Sequence, residues 1–183
     1  MNCQHCGAPL KYECGADALH CEYCGSYEFP VPGLDGVTLL QQPSAYVCPI
    51  CGETLIEAVV GRVRILSCPT CRGNLIEQSA MHPILSQAQD FNSLPEPEKG
   101  DAPSRPSQAE RARALHCPKC RKPLETYPYG ASGSLLIQGC ATCMWIWLDF
   151  GELSRIRSAY QKERRREQEQ AADYHRTVET RLI

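Results

Sequence analysis

Residues 143–158 read CMWIWLDFGELSRIRS. A cysteine is followed at once by an alternating aromatic and aliphatic run, then by Asp-Phe-Gly-Glu, then by a mixed apolar and basic pattern. The alternation over 144–148 is that of a strand, with Trp145 and Trp147 on one face and Ile146 and Leu148 on the other. Asp149 then stands where a helix N-cap belongs and Glu152 follows three residues later, a capping-box pattern with Asp in place of Ser or Thr. Acidic side chains also suit the positive end of a helix. Leu153 and Ile156 supply the start of an apolar helical stripe, and Trp147, Leu148 and Leu153 read as core. The Asp-Phe-Gly triplet is shared with protein kinases, but the chain has no glycine-rich loop and no His-Arg-Asp segment. The stretch therefore reads as the end of a cysteine-anchored strand handing over to a helix.

The anchor is repeated. Twelve of the thirteen cysteines fall into six Cys-x-x-Cys pairs: Cys3/Cys6, Cys21/Cys24, Cys48/Cys51, Cys68/Cys71, Cys117/Cys120 and Cys140/Cys143. Taken two pairs at a time, the intervening gaps are 14, 16 and 19 residues, close to the spacing of tetrathiolate zinc sites. Two thiolates three residues apart on a tight turn can face one ion. A second such turn, returned by a hairpin, completes the tetrahedron. A disulfide framework fits poorly with the odd cysteine count, and a thioredoxin-type redox pair needs one motif in a βαβ setting rather than six in hairpins. Iron in the same cage is left open by the ligand set alone. The expectation is three structural Zn2+ ions, with Cys14 as a spare thiol.

The modules are internal repeats. CQHCGAPL, CPICGETL and CPKCRKPL each place a leucine seven residues after the first cysteine: Leu10, Leu55 and Leu124. Gly7 and Gly52 follow their knuckles, where positive φ helps the turn close; Arg121 takes that place in the third, implying strain or a different turn. CRGNLIEQSAMHPIL aligns without a gap on CMWIWLDFGELSRIR, so that Leu75 matches Trp147 and Ile76 matches Leu148. Modules two and three are sisters. Module one continues GSYEFPVPG, where two prolines forbid a helix.

The segment CPKC…CATCMWIWLDFGEL resembles the transcription-factor-IIB-type zinc-ribbon family of small bacterial proteins, whose members follow the second cysteine pair with Trp-Leu-Asp-x-Gly-Glu-Leu. In this sequence the signature falls on Trp147, Leu148, Asp149, Gly151, Glu152 and Leu153. The resemblance is clearest over 117–157 and looser over 48–85, where the tryptophan and the Gly-Glu are missing. It implies zinc and a fold, and implies little about activity.

The fold class expected is thus a set of small metal-nucleated β-hairpin modules, three zinc ribbons with a C-terminal α-helix. Ribbon one takes 1–29, a connector 30–47 whose Gly-Val-Thr-Leu-Leu piece offers a further strand, ribbon two 48–85, a polar proline-bearing flexible linker 86–114, ribbon three 115–150 and a charged helix 151–183. Each ribbon is below about 40 residues, where an apolar core alone rarely suffices, so metal binding and folding should be one event. The net charge of -2 gives no bulk attraction for nucleic acid or anionic lipid. No apolar run approaches the ~20 residues of a membrane span, and the opening MNCQHCGAPL lacks a charged-then-apolar leader, so a cytoplasmic location is expected.

Four thiolates per ion leave no coordination position for a substrate, which argues against an enzyme. The expected function is a non-enzymatic zinc-binding scaffold or adaptor that engages a protein partner through its ribbons and helix. The alternative is a nucleic-acid-binding or transcription-associated ribbon protein. Its candidate contacts, shared with the partner reading, are Arg155, Arg157, Lys162, Arg164, Arg165 and Arg166, although Glu163, Glu167 and Glu169 interrupt or flank that run and favour a solvated helix face. A redox or metal-handling role for the thiols is a third, weaker reading.

Overall fold

The computed structural model describes residues 2–13, 18–33, 35–87, 114–129 and 135–181, with side chains for all of these except residue 41 and residues 175–181. Cys14 and most of the expected linker, residues 88–113, lie outside the described residues. Ten strands and two helices are described. Strands β1 (Lys11–Glu13), β2 (Ala18–His20) and β3 (Tyr27–Glu28) form a small antiparallel sheet in ribbon one. Strands β4 (Val37–Val47), β5 (Thr54–Val60), β6 (Val63–Ser67), β7 (Asn74–Glu77), β8 (Glu125–Tyr129), β9 (Leu135–Cys140) and β10 (Trp145–Leu148) form a second sheet in the order β4-β5-β6-β7-β10-β9-β8. Helix α1 is Gln78–Ser86 and α2 is Glu152–Arg181. No described helix is long and apolar enough to cross a membrane.

One expectation is extended here and one changes. The strand offered by the Gly-Val-Thr-Leu-Leu piece of the connector runs on to Val47: β4 pairs along β5 from Val37↔Val60 to Val47↔Thr54, with register shifts around Pro43. An irregular edge suits proline, which cannot donate to a ladder. Ribbons two and three are also not separate beads, because β7 and β10 pair antiparallel and fuse the two hairpins into one seven-stranded sheet.

The register of that joint is informative. Trp145 pairs Glu77, Ile146 pairs Ile76, Trp147 pairs Leu75 and Leu148 pairs Asn74. Leu75 and Trp147 are also the equivalent positions of the two repeats, so a local twofold axis passes through this pair and relates the sister ribbons. The symmetry is broken in one place. The Trp147 ring lies on Gly73, where an added Cβ would overlap it. The repeat equivalent of Gly73 is Trp145. A small residue on ribbon two therefore accommodates a large one from ribbon three, and the joint suits this unlike pair better than two copies of ribbon three.

The strand alternation read from 144–148 holds. Ile146 and Leu148 join Ala58, Val60, Ile65, Ile76 and Ile137 on the sheet face covered by Met81, Ile84 and Leu85 of α1 and by Leu153 and Ile156 of α2. Trp147 and, partly buried, Trp145 belong to the opposite side, with Leu55, Leu75, Leu115 and the ligands Cys48 and Cys68. Helix α2 buries only its first turns; from Gln161 to Tyr174 its residues are exposed apart from half-buried Glu163, as the charged sequence requires. Ribbon one packs Leu10 and Leu19 on Leu40 and Val59, and Tyr12 Oη donates to the Gly61 carbonyl at 2.9 Å.

Gly73→Ala should cost about 1–3 kcal/mol by forcing the indole aside, and Trp147→Ala about 3–5 kcal/mol by emptying the joint. Thermal melts of both variants, with bound zinc counted, check this; no shift for Gly73→Ala would mean that the indole does not rest on ribbon two.

Candidate metal centres

All six knuckles close in the same way. The amide of the residue after each second cysteine donates to the carbonyl of the first: Gly7 to Cys3, Gly25 to Cys21, Gly52 to Cys48, Arg72 to Cys68, Arg121 to Cys117 and Met144 to Cys140, at 2.8–3.0 Å. Each of these residues has positive φ, from 56° at Met144 to 77° at Gly52. Arg121, expected to mark strain or a different turn, makes the same turn at φ 62°; Arg72 and Met144 show that the left-handed conformation is imposed by closure round the metal even on side chains that resist it. Amides at His5, Ile50, Cys71 and Cys143 donate to a cysteine Sγ of the same knuckle at 3.4 Å, which stabilises the thiolate form.

The knuckles converge in pairs. Cys3, Cys6, Cys21 and Cys24 form one cluster, Cys48, Cys51, Cys68 and Cys71 a second, and Cys117, Cys120, Cys140 and Cys143 a third, with the sulfurs of each cluster within 4.8 Å of one another. Sγ···Sγ separations between knuckles are 3.5–3.6 Å in ribbon one, 3.4–3.5 Å in ribbon two and 3.5 Å for Cys120 and Cys140. A tetrahedral ion with Zn–S bonds of about 2.3 Å separates its sulfurs by about 3.8 Å, whereas a disulfide would need about 2.05 Å. The spacing fits a zinc ion and excludes disulfides, and these twelve cysteines are free thiols.

The electrostatics point the same way. Donation from Cys71 holds the Cys48 thiol down at about 5, while Cys71, held as the donor and partly buried, is pushed well above the ordinary thiol range. In this pair one thiolate is stabilised at its neighbour's expense, and a cation at the centre of the cluster relieves that competition by favouring all four thiolates. The three clusters are closed structural zinc sites.

The structure places the remaining sequence candidates as follows. Trp147 Nε1 donates to Asp149 Oδ1 at 3.0 Å, and the Asp149 amide donates to Glu152 Oε2 at 3.0 Å, the reciprocal half of the capping box. The carboxylate at the start of α2 that sequence reading missed is Asp35. Its Oδ2 accepts from the Gly151 amide at 2.8 Å; its Oδ1 accepts from the Ser154 amide at 3.1 Å and the Ser154 hydroxyl at 2.6 Å. Asp35 is 3 % exposed and lies 116 residues upstream of Gly151, so nothing local signals it. Arg157, expected as a surface contact, is corrected: it is 3 % exposed and its Nη1 donates to the Asp35 carbonyl at 3.4 Å. Burial pulls its guanidinium down to about 10, against the favourable pull of Asp35. Arg157 stands one turn beyond the buried Leu153, on the same face of α2. Half-buried Arg155 points Nε at the Gly151 carbonyl. Lys162, Arg164, Arg165 and Arg166 are exposed.

Residues 116–159 match the family model described as "Transcription factor zinc-finger", the transcription-factor-IIB-type zinc ribbon. The match covers ribbon three and the first turns of α2. No curated protein and no solved structure matches the chain.

Metal analysis of protein purified without chelator should give three zinc ions per chain; fewer would mean that a cluster does not close. A second expectation concerns Glu152, which burial raises to about 7, partly opposed by the Asp149 amide. A carboxyl raised on folding contributes most below its unfolded value of about 4.3 and loses that contribution as pH rises towards 7. Glu152→Gln keeps an oxygen for the Asp149 amide. It should therefore gain melting temperature over the wild type progressively between about pH 4.3 and 7 and level off above that; a pH-independent difference contradicts the assignment.

Proposed function

We propose that the protein is a non-enzymatic zinc scaffold that binds a protein partner, with ribbon one as the principal contact and α2 as a second. The observation that carries this reading is a set of exposed apolar residues within and just after the second knuckle of ribbon one: Tyr23 is 84 %, Tyr27 46 %, Phe29 73 % and Val31 84 % exposed. Large apolar side chains clustered on one small module are a common signature of protein interfaces. The all-thiolate sites support the non-enzymatic part, since catalytic zinc keeps a position for water or substrate.

The competing reading is nucleic-acid binding. Exposed Arg164, Arg165 and Arg166 on α2 and the transcription-factor description of the matching family favour it. The Glu residues beside those arginines and the net charge of -2 weigh against it.

Affinity capture with the zinc-loaded full chain, after nuclease treatment, separates the two. The scaffold reading expects a protein retained by the wild type and by an Arg164→Glu/Arg165→Glu/Arg166→Glu variant, and lost with Tyr23→Ser/Phe29→Ser/Val31→Ser. Retention that needs nucleic acid, falls steeply with salt and vanishes with the arginine variant would overturn it.

A further inference from the structure

The three zinc sites are unequally guarded. In ribbon one, Cys6 and Cys24, one from each knuckle, are exposed; in ribbon two Cys51 is exposed; in ribbon three each ligand is buried or half-buried. Their support differs too. Ribbons two and three share one seven-stranded sheet, while ribbon one has strands of three, three and two residues in a sheet of its own.

The docking surface of ribbon one is built from its own metal site. The cluster that covers Leu40 and Val59 contains the buried ligands Cys3 and Cys21, with Leu10 and Leu19 beside them. Leu19 stands two residues before Cys21, and Leu10 directly follows the bridge between Asn2 and Pro9 that closes the first knuckle. Positions of all four residues depend on the ion that draws the knuckles together.

We propose that ribbon one is a zinc-gated cover. Its ion exchanges with free zinc while the other two are retained, and its departure releases ribbon one from Leu40 on β4 and Val59 on β5. A chelator removes zinc by displacing thiolates one after another, and ribbon one offers an exposed thiolate on each knuckle as a point of entry. Once the ion leaves, hairpins this short have too little core to persist. Leu40 and Val59, now 5 % and 2 % exposed, become accessible. By linkage, docking and zinc binding strengthen each other equally.

The test uses the zinc-loaded full chain under rising chelator concentration. Native mass spectrometry should show a two-zinc intermediate, and maleimide labelling at that step should map to Cys3, Cys6, Cys21 and Cys24. Hydroxyl-radical footprinting should mark the Leu40 and Val59 side chains in the same step, while those of β7 and β10 stay protected. Leu19→Ser, which leaves every ligand in place, should release the first ion at lower chelator concentration. Loss of all three ions together, or first loss from ribbon two or three, overturns the proposal. So does loss of the first ion from ribbon one with Leu40 and Val59 still protected, or an unchanged first step in Leu19→Ser.

Discussion

Closure of four thiolates round one dication is the constraint on which the rest of the structure depends. It sets the reach of each knuckle, because sulfurs have to meet at about the edge of a zinc tetrahedron. It dictates the left-handed residue after each second cysteine, tolerated at Arg72, Arg121 and Met144 as well as at glycine. It also fixes the spacing of the strands that leave each knuckle. A residue such as Trp147, four positions after Cys143, is aimed by the knuckle that the metal closes.

From that aim follows the joint between the sister ribbons. Each ribbon ends in a short strand that would otherwise be an unpaired edge. Antiparallel pairing of β7 with β10 removes both edges and brings Leu75 opposite Trp147. The same side chains that define the repeat thus define its dimer-like arrangement, with Gly73 making room for the larger partner. Asp35 then ties the start of β4 to the first turn of α2, so the long helix is fixed to the far half of the chain as well as to its own ribbon. Carboxylate acceptors at free helical amides are favourable there because those amides lack intrahelical partners and carry the positive end of the dipole.

Local features were legible in the sequence. The twelve ligands, the turns at Gly7 and Gly52, the strand at Trp145 to Leu148 and the helix after it all follow from spacing over a few residues, whereas the same turn at Arg72, Arg121 and Met144 carries no glycine to signal it. Non-local features were not. Nothing near residue 35 announces that its carboxylate caps a helix more than a hundred residues on, and nothing in the linear pattern distinguishes three beads from a fused sheet. The register symmetry through Leu75 and Trp147 did have a trace, the gapless alignment of the two repeats, but an alignment does not say that equivalent residues touch. Arg157 looked like surface because it sits in a basic run, but it follows Leu153 by four residues and so shares that residue's buried face of α2. In 30–47 the Gly-Val-Thr-Leu-Leu piece signals a strand, but Pro43 hides how far β4 continues, because an irregular edge can still carry it past a proline.

X-ray absorption at the zinc edge of the purified protein tests the central claim most directly. Closed tetrathiolate sites predict a single first shell of four sulfurs at about 2.3 Å for the averaged zinc. A shell that needs nitrogen or oxygen at about 2.0–2.1 Å would contradict it, showing that at least one site is open or uses another ligand.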